Sequence, residues 1–227
     1  MSVEFSVVSI GALSSNPFWG EGPGIRTSHA TTTLVRDGDR LILVDPSLPA
    51  VALGSRLGER TGLQPQSITD VFCTTLRPTH RRSIELFETA RWLCCEQELA
   101  TYREHLEALA QSAGRTDGEA GEAIMADLAL VEKFHAAPDK LTPAVHLYPL
   151  AGPSVASAGL LLAGAVRTAI VAGDAALTAD HVLAGRVWSG SADTAAAMSS
   201  LVELIEIADV IVCGHDNYML SPVRWSP

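Results

Sequence analysis

The chain has 227 residues and a formal net charge of −10; 47% of its residues are hydrophobic and 19% are charged. This apolar content is enough for a sizeable core and excludes a disordered chain. The acidic balance, with a pI near 5.1, argues against nucleic-acid and anionic-membrane partners, because no basic face is available to neutralise phosphates. The length is near the upper end for one core, so we expect a single domain over residues 1–227.

The cysteines and the N-terminus indicate a cytoplasmic protein. Cys94 and Cys95 are adjacent, and Cys73 and Cys213 lie in apolar runs, so we expect reduced thiols rather than disulfides. No CxxC spacing supports a cysteine-bound metal. No stretch approaches the length of a membrane span, and the first ten residues lack the basic flank of a signal peptide.

The first half of the chain predicts a strand, a hairpin and a helix. Residues 1–10 alternate between two apolar sets and predict a first strand. Asp37-Gly38 separates the runs 30–35 and 41–44, which consist of β-branched or aliphatic residues, and this is the pattern of a β-hairpin. A helix is expected over residues 50–61, where Gly62 would end it. Residues 68–74 form an apolar run typical of a strand buried on both faces.

The middle of the chain predicts helices, and the last third returns to strands. Helices are expected over 83–92, 96–110 and 122–135, with a glycine-containing break at 114–118. We therefore expect a helical insert over about 83–136. Further strands are expected at 145–148, 159–163, 168–171 and 209–213, with a long helix over 194–207. This order suggests two sheets flanked by helices.

Polar residues follow three of the apolar strands. The run ending at Cys73 leads to His80, the run ending at Ala172 leads to Asp174, and the run ending at Cys213 leads to His215. In layered α/β folds, strand ends converge on one edge of the sheet, where sites are built. His80, Asp174 and His215 could therefore hold one zinc or iron ion and leave positions open for water and substrate.

The segment 31–49 resembles the opening hairpin of the metallo-β-lactamase superfamily, and residues 61–80 resemble the stretch that leads from that hairpin to the metal-binding motif. That superfamily carries a His-x-His-x-Asp-His motif, a Gly-His-Thr-like loop, a Gly-Asp carboxylate and a last His. The resemblance covers nearly the whole chain. It implies an α/β fold, the four-layer αββα sandwich of that superfamily, and a hydrolase with a two-metal site.

The ligand positions that this resemblance implies are only partly retained. Thr75, Arg77 and Pro153 stand where the three imidazoles of the first metal site belong. The second site keeps its ligands except for one carboxylate, which is replaced by Thr79. Those kept are His80, Asp174 and His215.

The substituted positions have a chemical consequence. Neither proline nor a guanidinium ligates a metal, so the resemblance implies that the first site is empty. We hypothesise that Arg77 places its positive charge near this position and neutralises Asp174.

Two interpretations of the remaining site stay open. In the first, His80, Asp174 and His215 bind one divalent metal, and the protein is a hydrolase of a small ester, lactone, thioester or phosphoester. Arg77, Thr79 and Asp174 are then the candidate catalytic residues, with Thr79 near the attacking water and Arg77 at a developing oxyanion. In the second, no metal is bound, and the old cleft of an inactive protein binds a small molecule or a partner protein.

A purely structural or homo-oligomeric role, with the insert as contact surface, is a third possibility. Asp45 is expected to bond loop amides. Asp216 and Asn217 either orient His215 or serve a turn. No ligand partner is evident for His181.

Overall fold

A computed structural model of the chain describes residues 3–112 and 118–223. Within them, two six-stranded sheets follow the sequence order from one edge to the other. The first sheet contains β1 (Glu4–Ser9), β2 (Thr32–Asp37), β3 (Arg40–Val44), β4 (Asp70–Cys73), β5 (Arg91–Cys94) and β6 (His135–Ala136). The second contains β7 (Lys140–Thr142), β8 (Val145–Pro149), β9 (Ala158–Ala163), β10 (Thr168–Gly173), β11 (Val210–Cys213) and β12 (Tyr218–Leu220). The helices are α1 (Ala50–Thr61), α2 (Glu96–Ser112), α3 (Glu119–Val131), α4 (Ala179–Leu183) and α5 (Thr194–Ile207).

The central strands are apolar on both faces, and this produces four layers. In β4, Phe72 packs between the sheets, whereas Val71 faces the layer of α1, α2 and α3. In β11, Val212 packs between the sheets, whereas Ile211 faces the layer of α4 and α5. Because side chains alternate along a strand, each sheet covers two cores at once. The predicted four-layer αββα sandwich is therefore confirmed.

Most of the predicted elements are present. α1 has the predicted bounds and ends at Gly62, which adopts φ 71°. The hairpin of β2 and β3 turns at Gly38, and α5 also has the predicted bounds. The predicted break at 114–118 lies outside the described residues, apart from Gly118.

The helix predicted over 83–92 is wrong. A short 3-10 turn, Ile84–Phe87, is followed by β5, which pairs in parallel with β4. Burial of three successive β5 residues explains this, because both faces of the strand are covered by other elements. The segment 83–136, expected to be a helical insert, thus contains β5 and part of the first sheet's edge in addition to α2 and α3. His135 lies in β6 rather than in α3.

Parallel pairing brings the carboxyl ends of the functional strands to one edge of each sheet. β3 and β4 run in parallel in the first sheet, as do β10 and β11 in the second. Thr31, just before β2, donates from its backbone N to Gly214 O at 2.6 Å and so ties the two edges together. None of the helices in the described residues has the length and apolar character needed to cross a bilayer.

Candidate metal centre

Three strand ends bring His80, Asp174 and His215 together. His80 lies on the loop after β4, Asp174 directly follows β10, and His215 follows β11. One potential ligand atom from each of the three lies within 4.8 Å of the others, and all three side chains are buried. The convergence expected from the sequence is therefore present.

Glycines immediately before two of these residues allow the close approach. A Cβ atom on Gly214 would lie 2.5 Å from Gly173 O. Gly173 itself has φ 55°, and a Cβ there would lie 2.5 Å from Thr74 Oγ1. Only glycine adopts this backbone without strain and leaves room for the neighbouring strand end. The Gly-Asp and Gly-His pairs thus place Asp174 and His215 side by side.

His80 is oriented by a buried carboxylate. Its side chain is fully buried, and Nδ1 lies 3.0 Å from Asp45 Oδ2. Asp45 is held by Thr74, whose backbone N and hydroxyl donate to the two carboxylate oxygens at 2.9 and 2.7 Å. Because a carboxylate only accepts, Nδ1 carries the proton, and Nε2 is directed at Asp174 Oδ1, 3.2 Å away.

His215 is oriented by the backbone. Its Nδ1 donates to the carbonyl oxygen of His29 at 2.9 Å, and its Nε2 lies 3.1 Å from Asp174 Oδ1. The suggestion that Asp216 and Asn217 orient this imidazole is wrong. Asp216 accepts from the backbone N of Asn217 within the turn and from that of Ala179 at the start of α4, and the Asn217 side chain accepts from the backbone N of Tyr218.

The donor set fits a divalent cation. In neutral imidazoles with protonated Nδ1, the Nε2 lone pairs of His80 and His215 face Asp174 Oδ1, and three electron-rich atoms converge. Within the described residues, His80 Nε2 is buried without a hydrogen bond that satisfies normal geometry. A buried polar atom without a partner is costly. A metal ion ligated by the two imidazoles and the carboxylate would satisfy all three atoms.

In the metal-free protein, a proton on His80 takes the place of the metal ion as the positive charge next to Asp174. Burial lowers the pKa of His80, but the charges of Asp174 and Asp45 outweigh it and raise this pKa to about 10. Burial raises the pKa of Asp174, but the positive charge of His80 and the hydrogen bond from His215 hold it well below its usual range. His80 is therefore an imidazolium between two carboxylates at neutral pH in the metal-free protein.

Arg77 forms the predicted ion pair with Asp174. Its Nη1 donates to Asp174 Oδ2 at 2.8 Å, so the two oxygens of this carboxylate face a guanidinium and the histidines respectively. Arg77 Nη2 also donates to the carbonyl oxygen of Pro153, and the guanidinium stacks over Trp188 at 4.3 Å from the ring centroid. These contacts fix a positive charge beside the candidate metal ligands.

A cavity of about 820 Å³ opens beside these residues. Arg77, Thr79, Asp174 and His215 line it, and Thr79 is half-buried at its edge. Phe18, at the start of the glycine-rich segment, also lines it. The volume is that of a site for a small organic molecule.

Comparisons with solved structures identify the architecture. No family model and no curated protein matches the chain. A Thermotoga maritima protein assigned to the metallo-β-lactamases matches with a TM-score of 0.69 over 97% of this chain and 100% of its own, at 16% identity. AbOPH, a hydrolase in the β-lactamase superfamily, matches with a TM-score of 0.66 over 99% and 92%, at 13% identity. The chain has the metallo-β-lactamase fold. AidC, a dizinc quorum-quenching lactonase, has a TM-score of 0.64 over 82% of this chain and 72% of its own, at 16% identity.

In this metallo-β-lactamase fold, a buried glutamate binds the positions where the resemblance implies lost imidazoles. Glu98 of α2 is 2% exposed and accepts from the hydroxyls of Thr75 and Ser154 at 2.6 and 2.7 Å. It also accepts from the backbone N of Leu76 and Ala156, both at 3.3 Å. Glu98 thus joins Thr75 to the loop that contains Ser154 and Pro153, and Arg77 binds the same loop.

Several residues of this site are not evident from the sequence. Asp45 binds His80 in addition to the predicted loop amide. The contact with His80 depends on the conformation of the loop after β4, which the sequence pattern does not indicate. His181 and Arg186 line the cavity although neither has a partner at ligand spacing. An N-cap threonine three residues before His181 predicts a helix start there, but not that the helix borders a site.

Proposed function

We propose that the protein is a hydrolase that uses one divalent metal ion, zinc or iron, bound by His80, Asp174 and His215. The observation that carries this proposal is the convergence of three buried lone-pair donors, two imidazole nitrogens and a carboxylate oxygen. The tautomers of the two imidazoles are set by residues outside the cluster. Asp45 holds Nδ1 of His80, and the His29 carbonyl holds Nδ1 of His215. Carboxylate–histidine–metal arrangements of this kind are typical of catalytic metal sites with an open position.

A divalent ion at this position would supply Lewis acidity and make a water molecule acidic enough to attack an ester, lactone, thioester or phosphoester at neutral pH. Arg77 has further N–H groups besides the two that bind Asp174 and Pro153, and these can stabilise negative charge that develops on the substrate oxygen. The Thr79 hydroxyl, at the cavity edge, can orient the attacking water. Asp174 connects the proposed metal ligands with Arg77, because one of its oxygens faces the histidines and the other binds the Arg77 guanidinium.

The solved structures with the same fold support a metal-dependent hydrolase in general terms. One of them is a dizinc lactonase, and another is a hydrolase of the β-lactamase superfamily. The present chain differs in its donor set, since Arg77 and the Glu98 network stand in place of a second group of ligands. We therefore propose a mononuclear site.

Metal analysis of protein purified without chelator tests the proposal. We expect one ion per chain, with the ion lost in His80→Ala and in His215→Ala. His146→Ala is the matched control, because the only hydrogen bond of this half-buried strand histidine's ring within the described residues is to the Pro143 carbonyl oxygen. Hydrolysis of a p-nitrophenyl ester and a γ-lactone should disappear on chelation and return with zinc or iron. Metal at the level of the buffer blank in the wild type would contradict the mononuclear site.

A metal-free binding protein is the second candidate, and the charge balance of the cluster favours it. The positive charges of Arg77 and protonated His80 match the negative charges of Asp45 and Asp174, so the buried groups are compensated without an ion. In that case the cavity would bind a ligand without hydrolysing it. The same metal analysis separates the two candidates.

A further inference from the structure

The lining of the 820 Å³ cavity includes a guanidinium that forms no ion pair within the described residues. This group belongs to Arg186, which is exposed, and its guanidinium lies 5.8 Å from the centroid of the Phe18 ring. Among the described residues, no carboxylate lies within 4.0 Å of it. Asp180, the acid nearest to it along the chain, accepts from the side chains of Asn16 and Trp19 at 3.2 and 2.9 Å.

His181 adds a neutral hydrogen-bond donor beside Arg186. The Thr178 hydroxyl oxygen accepts from the backbone N of His181 at 3.3 Å, so its proton is free for Nδ1, 2.7 Å away. A proton donated to Nδ1 leaves the ring hydrogen on Nε2, and Nε2 makes no hydrogen bond within the described part of the chain. Burial lowers the pKa of His181, and the negative charge of Asp180, which raises this pKa, does not outweigh the effect of burial.

The two groups are held in place by aromatic packing and by the backbone. The His181 imidazole contacts the Phe18 ring edge to face, with 4.9 Å between centroids. The backbone N of Arg186 donates to the His181 carbonyl oxygen at 2.9 Å. Phe18 therefore contacts both groups, and we name His181, Arg186 and Phe18 the anion subsite. The same cavity is also lined by Arg77, which stacks over Trp188, and by Asp174.

We propose that the cavity binds a small organic anion, with its carboxylate or phosphate at the anion subsite and its apolar body directed towards Trp188. Guanidinium and N–H groups bind such anions through charge-assisted hydrogen bonds. A local positive charge also raises the concentration of anions in the cavity of a protein whose net charge is −10. The proposal names the substrate class of the proposed hydrolase and rests on it for the reaction, whereas the binding itself needs no metal.

Calorimetric titration with benzoate, phenyl phosphate and neutral benzamide tests this, using the full chain both as purified and after chelation. We expect both anions to bind at millimolar concentrations or below, and benzamide to bind at least about tenfold more weakly. Arg186→Gln should raise the Kd of the anions about tenfold or more. Arg56→Gln is the matched control, because this exposed α1 residue carries the same charge far from the cavity lining.

The outcomes separate this inference from the proposed function. Anion binding that depends on Arg186 in a protein without metal or turnover would uphold the subsite and reject the hydrolase. Equal binding of benzoate and benzamide, equal effects of Arg186→Gln and Arg56→Gln, or no binding of either anion would overturn the subsite. The tighter of benzoate and phenyl phosphate identifies the anionic group. His181→Gln, which keeps a side-chain N–H donor, should weaken anion binding less than His181→Ala.

Discussion

His80 couples the stability of the metal-free protein to pH. Its folded pKa of about 10 lies above the ordinary value of 6.5, so its stabilising contribution is complete below about pH 6.5 and is lost as the pH rises towards 10. We expect the free energy of unfolding of chelator-treated protein, measured in urea, to fall between pH 6.5 and pH 9.5. In His80→Asn this fall should be smaller, because only the thiols and other common groups still titrate. An equal fall in both proteins would show that His80 is not an imidazolium.

Asp45 should control metal affinity through His80. Asp45→Asn keeps the shape of the side chain but weakens the hydrogen bond with His80 Nδ1. Loss of such a partner typically reduces metal affinity about 10- to 100-fold. Competition with a chromophoric chelator measures the affinity. Asp216→Asn is the matched control, because this neighbouring acid binds backbone N–H groups rather than an imidazole. Equal affinities of the two variants would contradict the role of Asp45.

The residues of the site could be predicted in part. His80, Asp174 and His215 follow apolar strands, and strand ends meet at one edge, so their convergence follows from the pattern. The ion pair of Arg77 with Asp174 follows from the resemblance, which implies that Arg77 stands at a ligand position. Asp45 to His80 and Glu98 to Thr75 are contacts between elements that lie 35 and 23 residues apart, and single-sequence patterns contain no measure of such pairing.

At the scale of elements, α2 is joined to two loops through Glu98. Four donors from the loops around Thr75 and Ser154 share this one buried carboxylate. Glu98→Ala leaves these donors unsatisfied, and we expect it to lower the free energy of unfolding by about 2–4 kcal/mol. Glu104→Ala, an exposed position on the same helix, should change it by less than about 0.5 kcal/mol. Urea titration of both variants gives the comparison, and similar losses would contradict a buried network.

Helices with a capping residue at one end are predictable from the sequence, whereas short strands at the edge of a sheet are not. α1 ends at Gly62 in the left-handed region, and Asp193 caps α5 by accepting from the backbone N of Ala195 and Ala196. The helix prediction fails at β5 because a four-residue strand is too short to show a period of its own. β6 and β12 have two and three residues, and their pairing depends on the neighbouring strand rather than on their own sequence.

For the whole molecule, the core between the two sheets supports both halves of the site. Phe72 is fully buried there, and the loop that carries His80 begins two residues later. Phe72→Ala should lower the free energy of unfolding by about 3–5 kcal/mol, because the cavity cannot close between two packed sheets. Val166→Ala, at a position 90% exposed, should have almost no effect. Thermal and urea unfolding test this, and a loss below about 1 kcal/mol for Phe72→Ala would contradict the packing described.

The guanidinium of Arg77 is a permanent part of the chain, whereas any ion beside it exchanges with the surroundings. When zinc or iron becomes scarce, Asp174 still has a cationic neighbour, and Pro153 and Trp188 still hold that neighbour in place. We therefore expect loss of the ion to stop turnover by the proposed hydrolase without collapsing the cleft. Such a protein would return to activity as soon as an ion arrives, with no refolding step in between.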